Sequence, residues 1–182
     1  MVKVPNKYKV NIDENEGRLQ YSVMNEEHGS RFCPIDRKVG GKIYLVFSSE
    51  TVKYVGRTFQ PMSGRFSDGI NGREYKWAQE KRNNLHVLTW HFENIDDFGL
   101  EAIESELTLA VRAYQKCWPT HQTSINFRWV NETEYAHLAQ DFAILMIEHY
   151  ADQLKFVGSD TNKVDQDLKK AQHLLKEMRT CS

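Results

Sequence analysis

The stretch KIYLVFSSETVKYVGRT, residues 42–58, contains two segments rich in β-branched and aromatic residues, separated by a short polar loop. This composition favours strands, and the short loop predicts a β-hairpin. Tyr44 and Tyr54 lie ten residues apart, one in each strand, and Gly56 and Arg57 close the second strand. A hairpin alone needs none of these side chains, so the rest of the sequence has to explain them.

Composition and charge limit the classes of protein that the chain can belong to. It has 182 residues, 40% of them hydrophobic and 27% charged, which is typical of one globular domain with room for an accessory lobe. The formal net charge is −1, yet residues 31–82 hold eleven basic and five acidic side chains. Residues 93–106 then hold six acidic side chains and no lysine or arginine. A basic surface beside carboxylates suits a polyanion together with a cation, and ordinary solvated charge is the alternative.

The cysteines Cys33, Cys117 and Cys181 are odd in number and widely spaced, which argues against a disulfide framework or a structural zinc site. The N-terminus lacks the apolar segment of a signal peptide, and the apolar runs are far shorter than the ~18 residues that cross a bilayer. We therefore expect a soluble protein in the cytoplasm, with no membrane partner.

The patterning divides the chain into an N-terminal extension (1–40), a core (41–130) and a helical C-terminal extension (131–182). The first region contains two candidate short strands, near residues 8–12 and 19–24. The core continues after the hairpin with pieces of helix and then the run LHVLTWHFE, whose composition predicts another strand. The breaks expected between those pieces of helix are Pro61, Gly64, Gly69 and Gly72. Together these elements favour an α+β fold, with a small sheet and helices on its faces.

Helical periodicity dominates the second half of the chain. The run DDFGLEAIESELTLAVRAYQKCW predicts a long amphipathic helix that ends before Pro119. Asn131, followed three residues later by Glu134, forms a capping-box pattern and predicts a second helix that runs to about residue 156. Apolar residues at helical spacing predict a third helix over 164–178.

Glu104 is the most informative residue of the long helix. At ~100° per residue, the apolar stripe lies within about 60° of Leu100, and Glu104 falls inside it at about 40°. Glu101 and Glu106 fall outside the stripe, near 100° and −120°. A carboxylate on a core-facing stripe is costly unless it has a partner. That partner is either an arginine or lysine at the edge of the core, or a divalent cation, and the helix alone leaves both open.

In their order along the chain, these features resemble the GIY-YIG nuclease family. KIY at 42–44 and YVG at 54–56 resemble the paired-tyrosine motif, and Arg57 supplies the basic residue that follows it. Arg65, eleven residues after the second tyrosine, matches the arginine of the first helix. The later strand and helix also match, and the run LEAIESELTLAV places Glu104 at the position of the family's metal ligand.

The resemblance covers residues 41–130 and has three departures from the family pattern. Lys42 replaces the first glycine of the motif. Gly69 stands where the family commonly has a histidine or tyrosine, for which His86, His91 and Tyr75 are candidate substitutes. The closing Pro-x-x-Asn motif is matched with extra residues, by Pro119 and Asn126.

The resemblance implies a small antiparallel sheet flanked by helices and a metal-dependent hydrolysis of phosphodiester bonds in DNA. Glu104 would hold Mg²⁺ or Mn²⁺, and Arg65 would bind the phosphate oxygens. Tyr44 would be a general base or would position the attacking water, and as a base it would need a lowered pKa. Tyr54 and Arg57 would orient water and phosphate. Gly56 would let the chain turn Arg57 toward the same pocket.

The expected partner is therefore DNA, contacted through basic side chains of the core. These are Lys42, Arg73, Lys76 and Lys81. The absence of a recognisable accessory module favours a compact stand-alone site-specific endonuclease, restriction-like or from a phage or mobile element. A homodimer through the C-terminal helices is compatible with the sequence. The alternatives are a non-catalytic nucleic-acid-binding module on the same fold and a helical interaction protein.

Overall fold

The computed structural model describes residues 4–48, 51–71, 75–80, 85–115, 117–122, 139 and 141–146. It shows an α+β fold built on a five-stranded antiparallel sheet with strand order β2-β1-β5-β3-β4. The strands are β1 (Asn6–Asn15), β2 (Arg18–Met24), β3 (Gly41–Phe47), β4 (Val52–Thr58) and β5 (Leu85–Phe92). The helices are α1 (Met62–Asn71), a short 3-10 helix (Lys76–Glu80) and α2 (Asp97–Gln115). The α+β class expected from the sequence is confirmed.

Successive side chains along the central strands point to opposite faces of the sheet and pack in two separate apolar layers. On β3, Ile43, Leu45 and Phe47 pack on the side of α2, whereas Tyr44 and Val46 pack on the side of α1. This period of two is what a strand buried on both faces requires. The sheet is therefore covered by α2 on one face and by α1 on the other.

The hairpin and the other predicted strands form, but two of the expected helix breaks, at Gly64 and Gly69, do not occur. The break expected at Gly72 lies outside the described residues. Gly64 and Gly69 lie inside α1, which runs without interruption to Asn71. A glycine inside a helix costs roughly 0.5–1 kcal/mol relative to alanine. Burial of Met62, Phe66 and Ile70 against the sheet outweighs that cost.

The N-terminal region is part of the same sheet as the core. Strand β1 pairs with β5 on one side and with β2 on the other. The Asp36 carboxylate is fully buried, and its Oδ2 accepts hydrogen bonds from Asn6, Tyr8 and Thr89 on these strands. The Asp36 carbonyl accepts the Met62 N–H at the start of α1. The segment before residue 41 thus fixes the helix that carries Arg65.

Of the C-terminal extension, the structure describes residues 139 and 141–146, which are helical. Ala139, Ala143 and Met146 are buried in the layer that contains α2, and Phe142 contacts Phe92 edge to face at 5.2 Å. The capping pair at 131 and 134, the third helix and any dimer contact through these helices lie outside the described residues. None of the described helices has both the length and the apolar character needed to cross a membrane.

Candidate functional site

The two tyrosines of the hairpin meet over Gly56. Gly56 is paired with Tyr44 across the β3–β4 ladder, and the rings of Tyr44 and Tyr54 lie 6.0 Å apart. A Cβ atom at Gly56 would lie 2.5 Å from Tyr44 Cζ and 2.5 Å from Tyr54 Cε1. Gly56 has no positive φ, unlike Gly17, Gly29 and Gly40. The glycine is therefore needed because the rings approach the backbone, and its role in directing Arg57 stays a prediction.

Tyr75 completes a cluster of three phenols. Its hydroxyl lies 2.8 Å from the Tyr44 hydroxyl, and its ring lies 5.9 Å from that of Tyr54. Of the three candidates to substitute for the missing side chain at Gly69, Tyr75 is the one that reaches the paired tyrosines. His86 stacks on Phe47, which belongs to the apolar layer of α2.

His91, the remaining candidate, lies on β5 opposite Lys42. A Cβ atom at Gly40 would be 2.7 Å from His91 Nε2, which places the imidazole against the residue that precedes β3. Gly40 directly precedes β3, whereas Tyr44 pairs with Gly56 further along the strand. We therefore leave His91 out of the phenol cluster.

Arg65 lies on the side of α1 that faces this cluster. Its Cζ is 5.3 Å from the centroid of the Tyr75 ring, a cation–π distance. The Arg65 Nε is buried and has no hydrogen-bond acceptor among the described residues. The side chain as a whole is only partly buried, so the guanidinium sits at the boundary between the phenols and solvent.

Arg57 connects β4 to three carboxylates of α2. Its Nε donates to Glu104 Oε2 at 3.1 Å, its Nη2 lies 3.5 Å from Glu101 Oε1, and its Nη1 contacts Asp97. Of the two partners that the helix left open for Glu104, the structure shows the arginine. This ion pair with Arg57 gives the Glu104 carboxylate the partner that it needs when it is buried.

Glu101 was missed at the sequence level, since it falls outside the apolar stripe. Its side chain is 3% exposed, against 19% for Glu104. The helical wheel predicts only the residues that face the core of the sheet. Arg57 contacts Glu101 and Glu104 on successive turns of α2 and helps to bury both side chains. A basic residue at the end of the preceding hairpin strand was the only available signal.

Several charged neighbours change the pKa of Glu104. Burial raises the pKa of Glu104 to about 7, Arg57 and Arg65 act to lower it, and Glu101 adds to the rise. Burial also raises the pKa of Tyr54, with further contributions from Tyr44 and Glu104. These mutual effects place Glu104 within electrostatic range of both Tyr54 and Arg65.

The pKa values bear on the role of Tyr44. Complete burial raises the pKa of Tyr44 well above 10.0, Tyr75 adds to the rise, and Arg65 opposes it. The lowered pKa that a base at neutral pH requires is not found. Tyr44 is a protonated phenol in this arrangement, so it acts through its hydrogen bonds.

The other predicted site residues that the structure describes, Lys42 and Lys76, do not contact the phenols or the carboxylates. Lys42 is fully buried, and its Nζ donates to the carbonyls of Lys38, Gly40 and Gln60 at 2.7, 2.9 and 3.1 Å. It is therefore a structural residue and not a surface contact for DNA. Lys76 is exposed on the 3-10 helix. The remaining predicted residues, Arg73, Lys81 and Asn126, lie outside the described part of the chain.

Gln122 carries an amide three residues after Pro119, at the spacing of a Pro-x-x-Asn motif. Its Oε1 accepts the Val55 N–H at 3.1 Å, and His121 N donates to the Lys53 carbonyl at 2.9 Å. The segment therefore covers the outer edge of β4 as far as Val55. The signal in the sequence was the tetrapeptide PTHQ, with glutamine in place of asparagine.

The described residues contain no group of three or more His, Cys, Asp or Glu side chains that could surround a metal ion. A site with one protein carboxylate still fits Mg²⁺, which keeps several waters and binds substrate phosphate oxygens. Glu104 fits that role better than Glu101, because its side chain is the more exposed of the two.

Comparison with models of protein families, with curated proteins and with solved structures found no match to this chain. The likeness to GIY-YIG nucleases therefore rests on the residues and their arrangement alone.

Proposed function

We propose that the protein is a divalent-metal-dependent endonuclease of the GIY-YIG type that hydrolyses phosphodiester bonds in DNA. One observation supports it above the others: five residues chosen from the sequence lie in two sets of contacts, and both sets include residues of β4. They are Tyr44, Tyr54, Arg57, Arg65 and Glu104. They come from β3, β4, α1 and α2, and the hairpin fold alone gives no reason for them to converge.

The chemistry of the cluster suits a phosphate group. Arg65 offers a planar set of donors at the edge of the cluster, which matches phosphate oxygens. Mg²⁺ or Mn²⁺ held by Glu104 would supply charge neutralisation for the phosphate and an ordered water. Arg57 opposes the rise in the pKa of Glu104 and orients its carboxylate.

The two motif tyrosines have different roles in this proposal. Tyr54 is partly exposed and protonated, so it donates a hydrogen bond to water or phosphate. Tyr44 is fully buried beneath it and supports Tyr54 and Arg65 from the sheet. Stand-alone cleavage at specific sites is the form of the activity that we propose.

The test compares the wild type with Glu104→Gln on supercoiled plasmid DNA in Mg²⁺, Mn²⁺ and EDTA. Glu106→Gln is the matched control, since it removes the same charge from the same helix outside the contacts of Arg57. We expect metal-dependent nicking or linearisation by the wild type and the control, and a loss of about 10²-fold or more in Glu104→Gln. Equal cleavage by Glu104→Gln would remove the metal ligand from the proposal.

A second candidate is a nucleic-acid-binding module without catalysis, and the Arg57 contacts favour it. Because Arg57 already neutralises Glu104, the inward carboxylate does not by itself require a metal. This candidate predicts that wild type and Glu104→Gln bind DNA equally and that neither cleaves it with any metal.

A further inference from the structure

Tyr75 lies beyond the end of α1, yet its ring fills the space beside Gly69. Its backbone N–H donates to the Gly69 carbonyl at 3.1 Å. A Cβ atom at Gly69 would overlap the Tyr75 ring, so only a residue without a side chain allows the ring to lie there. Gly64, on the same helix, has nothing within 4 Å of the corresponding Cβ position. Gly69 is therefore required by the Tyr75 ring, whereas no neighbouring atom requires a glycine at residue 64.

Neighbouring rings hold the Tyr75 ring firmly in place. Trp77 stacks on it with a centroid distance of 5.0 Å and an interplanar angle of 25°. Phe66 contacts it edge to face at 6.3 Å. Only 4% of Tyr75 is exposed, so the ring is a fixed part of the α1 layer. A fixed ring can define the position of whatever lies against it.

Two groups of the candidate site lie against this ring. The Tyr75 hydroxyl shares a hydrogen bond of 2.8 Å with the Tyr44 hydroxyl, and the ring face lies 5.3 Å from Arg65 Cζ. A flexible arginine side chain loses rotamer entropy when a ligand orders it. The Tyr75 ring face and the hydroxyl pair order the Arg65 side chain before any ligand binds. Tyr75 therefore acts on the arginine whose Nε has no acceptor among the described residues.

We propose that Tyr75 is a positioning residue that holds the Arg65 guanidinium in the orientation needed to bind the scissile phosphate, and that Gly69 exists to admit it. The inference rests on the proposed nuclease function. Arg65 touches the substrate in this scheme, and Tyr75 acts through Arg65. The ring face and the hydroxyl contact with Tyr44 each supply part of this ordering.

The experiment measures kcat and KM for plasmid cleavage in Tyr75→Phe and Tyr75→Leu. Tyr75→Phe keeps the ring face and loses the hydroxyl, so we expect kcat to fall about tenfold. Tyr75→Leu loses both, and we expect a fall of about 10²-fold with KM changed by less than about threefold. Tyr21→Phe, which removes a hydroxyl bonded to the Ser63 carbonyl of the same helix, is the control with wild-type kcat.

Gly69→Ala and Gly64→Ala form a second matched pair. The new methyl at residue 69 displaces the Tyr75 ring, so we expect Gly69→Ala to lose kcat as Tyr75→Leu does. Gly64→Ala meets open space and keeps the wild-type kcat. Circular dichroism spectra establish that each variant is folded, and Tyr75→Phe decides the matter if the larger changes prevent folding.

A double-mutant cycle separates positioning from a general structural effect. If Tyr75 acts through Arg65, Tyr75→Phe lowers kcat by less than about twofold in an Arg65→Lys background. Additive losses, or wild-type kcat in Tyr75→Phe, overturn this inference and leave the nuclease proposal intact. A wild type that does not cleave DNA at all overturns both.

Discussion

At the residue scale, two glycines mark where aromatic rings cross the backbone. Gly56 lies beneath Tyr44 and Tyr54, and Gly69 lies beneath Tyr75. Neither has the positive φ for which glycine is usually required. Their role is to provide space, and the consequence is that the phenols and Arg65 gather on one side of the hairpin.

Gly56→Ala should therefore destabilise the protein, because the methyl would need the rings of Tyr44 and Tyr54 to move. We expect a loss of about 1–3 kcal/mol in the free energy of unfolding, measured by urea denaturation. In Gly64→Ala the methyl is unobstructed, and a gain of roughly 0.5–1 kcal/mol is expected from helix propensity. Equal effects of the two substitutions would contradict the close approach at Gly56.

The buried phenols also predict a loss of stability at alkaline pH. Burial raises the pKa of Tyr8, Tyr44 and Tyr54 above 10.0. The unfolded chain loses these protons near pH 10 and the folded chain keeps them, so their contribution is present below pH 10 and is lost as pH rises. Each group contributes a slope of about 1.4 kcal/mol per pH unit. Between pH 10 and 11.5, Tyr8→Phe should therefore reduce the slope of the free energy of unfolding against pH by about 1.4 kcal/mol per pH unit. An unchanged slope would refute this.

Sequence reasoning selected the motif residues of the candidate site, offered Tyr75 as one of three substitutes and missed Glu101. Tyr44 and Tyr54 come from the resemblance to the paired-tyrosine motif, and Glu104 comes from the helical wheel and the resemblance together. Tyr75 comes from a segment that follows α1, and its position depends on tertiary contacts with Gly69, which spacing does not contain. Glu101 is buried by Arg57 from another element, so no property of its own helix reveals it.

At the scale of elements, the N-terminal strands are the main difference from the expected organisation. The hairpin, β5 and α2 were predictable because each has a strong local pattern. The insertion of β1 between β2 and β5 depends on long-range pairing and on the buried Asp36 carboxylate. Local patterns do not specify such pairing, so the sequence alone predicts residues 1–40 to be an extension of the core.

Asp36→Asn should lower the free energy of unfolding by about 1–3 kcal/mol, because an amide cannot accept all the hydrogen bonds that converge on the carboxylate. Asp13→Asn, an exposed position on β1, is the control and should change stability by less than about 0.5 kcal/mol. Thermal or urea unfolding measures both. A chain that starts at Gly41 should fail to fold cooperatively, and a stable folded fragment would contradict the account of β1 as part of the core.

At the scale of the whole molecule, the basic span does not present all of its charge to solvent. Arg31, Arg37, Lys38 and Lys76 are exposed, whereas Lys42 and Lys53 are buried. A DNA-binding surface made from this span would depend on the exposed groups. The sequence could count the charges but could not separate the structural lysines from the surface ones.

Salt dependence of DNA affinity distinguishes the two kinds of lysine. If Lys76 contacts a phosphate, Lys76→Ala reduces the slope of log K against log salt by about one. Lys42→Met should leave that slope unchanged and destabilise the fold, because three carbonyls lose their donor. Fluorescence anisotropy with a labelled duplex measures the slopes. A salt-independent affinity would count against phosphate contacts altogether.

The central claim, that the cluster around β4 hydrolyses phosphodiester bonds with a divalent metal, is tested most directly by incubating the wild-type protein with supercoiled plasmid DNA. We expect conversion to nicked or linear DNA in Mg²⁺ or Mn²⁺ and none in EDTA, with ends that carry the products of phosphodiester hydrolysis. Supercoiled DNA that stays intact with every metal, in the presence of protein that binds it, would contradict the claim.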